Sequence, residues 1–256
     1  MCLPWVKSIT DKVIILDLDE TCIHTYQDMN VLNDLAIMKN PQLMDLRQRL
    51  YILNINDVGQ KGDGKKSKLW GIERPYLNQF LKFLTIYCRE VIVWTAGVPS
   101  YAKAIVNHIF RGIKKPAIIY ARTECENEGS INNPHYTKPI SKLINSNYNK
   151  INKIMNESNT MIIDDRLDYV KPNFSNSILI PPYNPSPTLD NLREPDTALL
   201  KIMTWLNDRS IRYAHDVRSL PKDNIFTITQ LICTFNLEDE EDEEEQRLLH
   251  TPEYYP

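Results

Sequence analysis

No two cysteines in the chain are spaced as C-x-x-C. None of the five (Cys2, Cys22, Cys88, Cys125, Cys233) clusters with histidine. That scatter excludes a zinc motif and a disulfide framework, and predicts reduced thiols in an intracellular compartment, nuclear or cytoplasmic. No apolar stretch approaches the roughly 20 residues that span a bilayer, so no membrane span is expected. The first residues lack a charged segment followed by an apolar core, so no secretory signal is expected either. Glycine is scarce, 7 in 256 residues, while Asn, Ile and Lys are abundant, a bias that says little about function. There is no internal repeat.

The net charge of −3 hides an asymmetry. Glu238 to Glu245 is an unbroken acidic run of eight, and removing it leaves a body at +5. A mildly basic body suits an anionic substrate, but the excess is too small to predict direct nucleic-acid binding. The run and the residues after it, 238–256, are expected to be a disordered, solubilising tail.

Five short apolar runs stand out: Val13–Leu16, Val91–Trp94, Ala117–Tyr120, Met161–Ile163 and Ile178–Ile180. Each is β-branched or bulky and too short for a helix. Continuous runs without alternation fit strands buried on both faces of a parallel sheet. Helical spacing separates several of them, over Tyr76–Tyr87, Ser100–Phe110 and Lys138–Ile154. The alternation predicts an α/β fold with a parallel central sheet. Between the first two runs, Asn30–Leu50 reads as one or two helices broken near Asn40-Pro41. Arg49–Asn56 and Lys68–Glu73 then read as a β-hairpin around a glycine-bearing tip. Together they form an insert, about residues 26–72, placed directly after the first strand. Pro181–Pro187 reads as an ordered loop or linker, and Asp196–Asn207 as an amphipathic helix packed on the sheet. Arg209–Pro221 reads as irregular, and Asn224–Phe235 as one more helix or strand.

Three of the runs end in polar residues. Val13–Leu16 leads into Asp17-Leu18-Asp19, Val91–Trp94 into Thr95-Ala96-Gly97, and Met161–Ile163 into Asp164-Asp165. In an open parallel sheet, ligands bind beyond the C-terminal strand ends, so these groups should converge. Period-2 spacing turns Asp17 and Asp19 to one side and Leu18 to the other. Four carboxylates in one crevice cost desolvation unless a cation offsets them. Oxygen donors select a hard ion, and Mg²⁺ bridges to phosphate oxygens. Thr95 and the amides of Ala96 and Gly97 can donate to a phosphate.

At this point the residues resemble a known pattern. Asp17-Leu18-Asp19-Glu20-Thr21 is similar to the D-x-D-x-T motif of the haloacid-dehalogenase-like phosphatases. More narrowly, the chain resembles the NLI-interacting-factor-like phosphatases, which include those of the RNA polymerase II C-terminal domain. Asp17 to His24 is close to D-L-D-E-T-L-x-H. Arg74-Pro75 with Phe80-Leu81 resembles R-P-x-x-x-x-F-L. Trp94-Thr95-Ala96-Gly97 with Tyr101 resembles F-T-A-S and its following tyrosine. Ala121 to Cys125 resembles R-x-x-C, Tyr136-Thr137-Lys138 resembles Y-x-K, and Ile163-Asp164-Asp165 the last acidic pair. The likeness spans roughly residues 11–207 with the motifs in order.

The resemblance implies a Rossmann-like haloacid-dehalogenase core over residues 11–210, after a short lead (1–10) and before an extension (211–237). It implies Asp17 as nucleophile and Asp19 as acid and base. Mg²⁺ would be held by Asp17, the main-chain carbonyl of Asp19, and Asp165. Thr95 and Lys138 would bind the phosphoryl oxygens. Asp164 would orient Lys138 or the metal shell, and Thr21 would fix the Asp17 loop. Tyr101, Arg122 and the hairpin would belong to the substrate groove. The implied substrate is a phosphoserine or phosphothreonine protein, with the polymerase tail as one candidate. A nucleotide or polynucleotide phosphatase and a non-catalytic binding protein stay open. The chain departs from the pattern in three places. Gly97 stands for the usual serine, the insert before Arg74 is longer, and so is the stretch from Arg122 to Lys138.

Overall fold

A computed structural model of the chain describes residues 9–56, 66–130, 132–145 and 150–231. In chain order, strand β1 (Val13–Leu16) and β2 (Ile23–Tyr26) precede helices α1 (Met29–Asp34) and α2 (Met44–Arg49). The hairpin β3 (Leu50–Asn56) and β4 (Lys66–Glu73) follows, then α3 (Leu77–Tyr87), β5 (Glu90–Trp94), α4 (Pro99–Ile109) and β6 (Ile118–Tyr120). A two-stranded ribbon, β7 (Glu126–Asn127) and β8 (Tyr136–Thr137), leads to α5 (Ile140–Ile144), β9 (Thr160–Asp164), α6 (Leu167–Val170) and β10 (Ser177–Leu179). Helices α7 (Leu189–Arg193), α8 (Ala198–Asn207) and α9 (Arg209–Arg212) complete the set.

The five apolar runs become one parallel sheet in the order β10-β9-β1-β5-β6, as an α/β fold requires. All four β1 residues are fully buried, because they alternate between two cores. Ile14 and Leu16 face α3, α4 and α8. Val13 and Ile15 face Leu143, Ile151, Met155 and Val170. Each such side chain contributes about 1.5–3 kcal/mol of burial, which anchors β1 in the core. The catalytic-site candidates hang from its C-terminal end.

The insert folds as a second sheet, antiparallel, in the order β2-β4-β3. The hairpin stands where the sequence placed it, and its tip lies outside the described residues. Asn40 caps the 3₁₀ turn Pro41–Leu43 by accepting from Gln42 N–H, which breaks the helical stretch where Asn40-Pro41 predicts a break. Strand β2 was not predicted. It is four residues long and carries His24 and Thr25, so it has no apolar run; pairing with β4 creates it. The helix expected over Lys138–Ile154 is also corrected: α5 stops at Ile144, and a 3₁₀ turn covers Lys150–Lys153. Asn145 ends it, consistent with the poor helix propensity of Asn and Ser. The stretch Arg209–Pro221 contains the short α9 and a 3₁₀ turn, Val217–Ser219, each capped by an aspartate, Asp208 and Asp216. Of the helix or strand expected over Asn224–Phe235, the first residues lie in a 3₁₀ segment, Lys222–Thr227, residues 228–231 belong to no helix or strand, and residues 232–235 lie with the acidic run outside the described residues. No described helix is long and apolar enough to cross a membrane.

Candidate active site

The loop after β1 is tightly wound. Asp17 N–H donates to the Ile163 carbonyl of β9 at 3.0 Å, continuing the sheet by one residue. Cys22 and Ile23 N–H both return to the Leu18 carbonyl, at 2.8 and 3.1 Å. Glu20 adopts a left-handed conformation (φ 54°), unusual for a residue with a side chain. Leu18 is fully buried in the core, so Asp17 and Asp19 turn the other way, as period-2 spacing requires. Arg74 clamps this loop from beneath. Its buried guanidinium donates to the Thr21 carbonyl (3.1 Å), to the Pro181 carbonyl (2.9 Å) and to both oxygens of Asp196 (3.0 and 2.8 Å). The Pro181–Pro187 stretch is thereby an ordered loop, with Tyr183 N–H also donating to the Glu20 carbonyl at 2.6 Å.

Lys138 lies under the floor of the site, with no solvent exposure. Its ammonium contacts Asp17 Oδ1 at 2.5 Å and Asp164 Oδ2 at 2.7 Å. The backbone on either side is fixed: Lys138 N–H donates to Tyr169, and its carbonyl accepts from Asn173 Nδ2 at 2.6 Å. Burial alone would lower the lysine, but Asp164 and Asp17 together raise it, so it stays charged. Burial raises Asp17 well above the usual carboxylate range, against the pull of Lys138. Asp165 is pushed up to about 6, first by burial and then by Asp164. Oxygens of Asp17, Asp164 and Asp165 all lie within 4.8 Å of one another. Such an all-carboxylate set, with one ammonium among three acids, fits a hard divalent cation. Of the three, Asp164 is the most engaged, since its Oδ1 accepts from Arg166 N–H while Oδ2 holds Lys138. Thr21 Oγ1 reaches Asp165 Oδ1 at 3.4 Å.

The loop after β5 supplies the opposite wall. Thr95 Oγ1 accepts from Gly97 N–H at 2.9 Å and donates to Asp19 Oδ2 at 3.3 Å. The other Asp19 oxygen accepts from the Tyr101 hydroxyl. Burial raises Asp19 too, and those two donors work against it. Arg122 braces the loop from behind: its N–H donates to Gly97 O at 2.8 Å and its Nε to Ala96 O at 2.7 Å. Above these groups is an open cleft of about 200 Å³, lined in part by Asp17, Asp19, Thr95, Gly97, Arg122 and Asp165. Tyr101 is not among its lining residues. The structure therefore brings Asp17, Asp19, Thr21, Thr95, Lys138, Asp164 and Asp165 together. It sets Arg122 at the rim and Tyr101 behind Asp19. Three other residues line the cleft, Glu20, Arg166 and Tyr169, to which the sequence pattern assigns no role. Arg166 follows Asp165 directly and stacks over Tyr169 at 4.1 Å, so its position next to the acidic pair was the available signal.

The sequence profile of the NLI interacting factor-like phosphatases matches residues 12–218. The chain belongs to that family. Among curated relatives, the CTD nuclear envelope phosphatase 1 homolog of Caenorhabditis elegans is 26% identical over 218 residues, covering 85% of this chain and 74% of the relative. The CTD nuclear envelope phosphatase 1B of Danio rerio is 23% identical over 222 residues, covering 86% and 75%. Among solved structures, Fcp1, an essential RNA polymerase II CTD phosphatase, matches with a TM-score of 0.58 at 19% identity, over 81% of this chain and 69% of that one. Fission yeast Fcp1, as a variant bound to beryllium fluoride, matches with a TM-score of 0.51 at 19% identity, over 94% and 68%. At that identity the structural likeness establishes the fold, an α/β domain with a central parallel sheet. The NLI interacting factor-like match covers every strand of the sheet, from β1 to β10.

Proposed function

We propose that this NLI interacting factor-like phosphatase is a Mg²⁺-dependent protein serine/threonine phosphatase that works through an aspartyl-phosphate on Asp17. The observation that carries this reading is the buried contact of Lys138 with both Asp17 and Asp164, beside Asp165 and beneath the cleft. A nucleophilic carboxylate next to a fixed ammonium, facing an open cleft, is arranged to receive a phosphoryl group and neutralise its oxygens.

In the first step an Asp17 oxygen attacks phosphorus. The phosphorus–oxygen bond to the serine or threonine side chain breaks, and Asp19 gives its proton to the departing oxygen. In the second step Asp19 takes a proton from water as that water attacks phosphorus. The acyl-phosphate bond breaks, phosphate leaves, and the Asp17 carboxylate is restored. Lys138 stabilises the negative charge on the phosphoryl oxygens, and Thr95 and the Ala96–Gly97 amides would donate to them once substrate draws Thr95 Oγ1 from Asp19 and Gly97 N–H from Thr95. Asp17, Asp165 and the Asp19 carbonyl would hold Mg²⁺, with Asp164 steering Lys138. The ion, when bound, supplies further neutralisation of phosphoryl charge.

We assign the catalytic unit to about residues 11–210, the insert to about 26–72, the extension to 211–237 and the tail to 238–256. The proposed substrate is a phosphoserine or phosphothreonine segment of an intracellular protein, with the RNA polymerase II tail as the first candidate. The support is the relatives' names: Fcp1 is an RNA polymerase II CTD phosphatase, and the curated relatives are named CTD nuclear envelope phosphatases. The test is hydrolysis of an aryl phosphate and of polymerase-tail heptads phosphorylated singly at each serine, with phosphorylated oligonucleotides alongside. Wild type with Mg²⁺ is expected to cleave the aryl phosphate and at least one heptad, and Asp17→Asn to cleave neither. Equal rates for both proteins would overturn the mechanism.

A further inference from the structure

Two tyrosines and a threonine from three different elements meet behind Asp19. Tyr101 comes from the first turn of α4, Thr25 from β2 and Tyr51 from β3. The Tyr101 hydroxyl donates to Asp19 Oδ1. Thr25 Oγ1 lies 2.7 Å from the Tyr101 hydroxyl and 2.6 Å from that of Tyr51. Each hydroxyl has one proton to give. With Tyr101 donating to the carboxylate, Thr25 donates to Tyr101, and the 2.6 Å contact takes the Tyr51 proton to Thr25 in preference to the His24 carbonyl at 3.5 Å. The three form a polarised chain that ends on the carboxylate. Burial raises both phenols above their ordinary range, which keeps their protons in place.

The backbone makes room for both rings. Gly71 is the β4 residue paired with Thr25 on one side and Tyr51 on the other. A Cβ there would lie 2.3 Å from Tyr51 Cζ and Oη, so Tyr51 reaches Thr25 only by crossing over a glycine. A Cβ on Gly97 would lie 2.8 Å from Tyr101 Cδ1. Two of only seven glycines are therefore spent on letting these rings approach. Neither has a positive φ, so close approach is the reason for them and backbone freedom is not.

We propose that Tyr51, Thr25 and Tyr101 form a hydroxyl relay that positions the Asp19 carboxyl, so that the insert sheet takes part in catalysis. Tyr101 is a positioning residue that acts through Asp19. It occupies Oδ1 and so directs Oδ2, the oxygen beside cleft-lining Thr95, toward the leaving group. The proposal rests on the reading of Asp19 as the group that protonates the leaving oxygen. It predicts a loss that depends on how much the leaving group needs that proton.

The experiment compares a phosphoserine peptide, whose alkoxide leaves poorly, with p-nitrophenyl phosphate, whose phenolate leaves readily. The readout is kcat/KM, which reports the step that expels the leaving group and not the later hydrolysis common to both substrates; Tyr101→Phe is expected to lower it on the peptide by about 10–100-fold, a portion of the ~10²–10⁴ that general acid–base catalysis supplies. On the aryl phosphate the loss should stay within about 3-fold, because that step needs little protonation. Tyr51→Phe and Thr25→Val should show the same substrate bias to a smaller degree. Thr25→Ser, which keeps the hydroxyl, should restore it. Tyr51→Phe should add nothing in a Tyr101→Phe background, since the two act in series. Equal losses on both substrates, no loss on either, or additive effects of the two tyrosine changes would overturn the relay. Asp17→Asn separates the two claims, because its inactivity on both substrates leaves the catalytic reading standing whatever the relay does.

Discussion

Replacing Lys138 by methionine keeps the volume of the stem and removes its charge. The wild-type ammonium sits with no exposure, 2.5 Å from Asp17 and 2.7 Å from Asp164, with Asp165 close by. Without it, two buried carboxylates face each other with no cation. Breaking a buried ion pair by removing one partner costs about 3–5 kcal/mol, because the remaining charge is left uncompensated. That is a large part of the ~5–15 kcal/mol a domain has in total. The loss should depend on pH. Burial already raises Asp17, and losing Lys138 removes the main influence that lowers it. The variant's folded state then keeps protons that the unfolded chain releases at ~4. Since the folded state binds more protons in that window, stability is greatest below it and falls as pH rises through the raised folded value. Urea unfolding in EDTA at pH 5.5 and pH 8 measures this. The expected destabilisation is about 3–5 kcal/mol at pH 8 and clearly smaller at pH 5.5. A loss below about 1 kcal/mol at both pH values, or a larger loss at the lower one, would refute the argument.

The other predictions are independent of that one. Arg74→Met should destabilise by about 3–5 kcal/mol in thermal or urea unfolding, because it strands Asp196 and frees the Thr21 and Pro181 carbonyls. Asp165→Asn should raise the Mg²⁺ concentration needed for half-maximal activity at least tenfold while kcat at saturating Mg²⁺ falls less, as read from a metal titration. Arg193 holds the exposed Asp45 carboxyl down to about 2. A depressed carboxylate stabilises above its unfolded value and loses that contribution as pH falls from ~4 toward 2. With both side chains so exposed, Asp45→Asn should cost no more than ~0.5 kcal/mol in urea unfolding at pH 7.

Much of the sheet was legible because burial on both faces leaves a direct trace. Val13–Leu16 and Met161–Ile163 are unbroken apolar runs, and no other packing explains them so simply. The convergence of Asp17, Thr95 and Asp164 followed from one topological rule about strand ends. Lys138 was legible only through the family pattern, since nothing in His135–Pro139 distinguishes a buried lysine from a surface one. What escaped depends on pairing between distant segments. Ile23–Tyr26 becomes a strand only beside β4, and its threonine acquires a role only when Tyr51 and Tyr101 arrive from elsewhere. The family pattern places Tyr101 in the substrate groove but carries no trace of its hydroxyl's contact with Asp19.

The central claim is that Asp17 receives the phosphoryl group. It is tested most directly by quenching a single turnover of a phosphoserine peptide in acid, reducing the protein with borohydride and locating the product by mass spectrometry. Reduction of an aspartyl-phosphate leaves homoserine, so the account predicts homoserine at position 17, and none in Lys138→Met or without Mg²⁺. Phosphate released at the wild-type rate with aspartate intact at position 17, or homoserine at Asp19 or Asp165 instead, would contradict it.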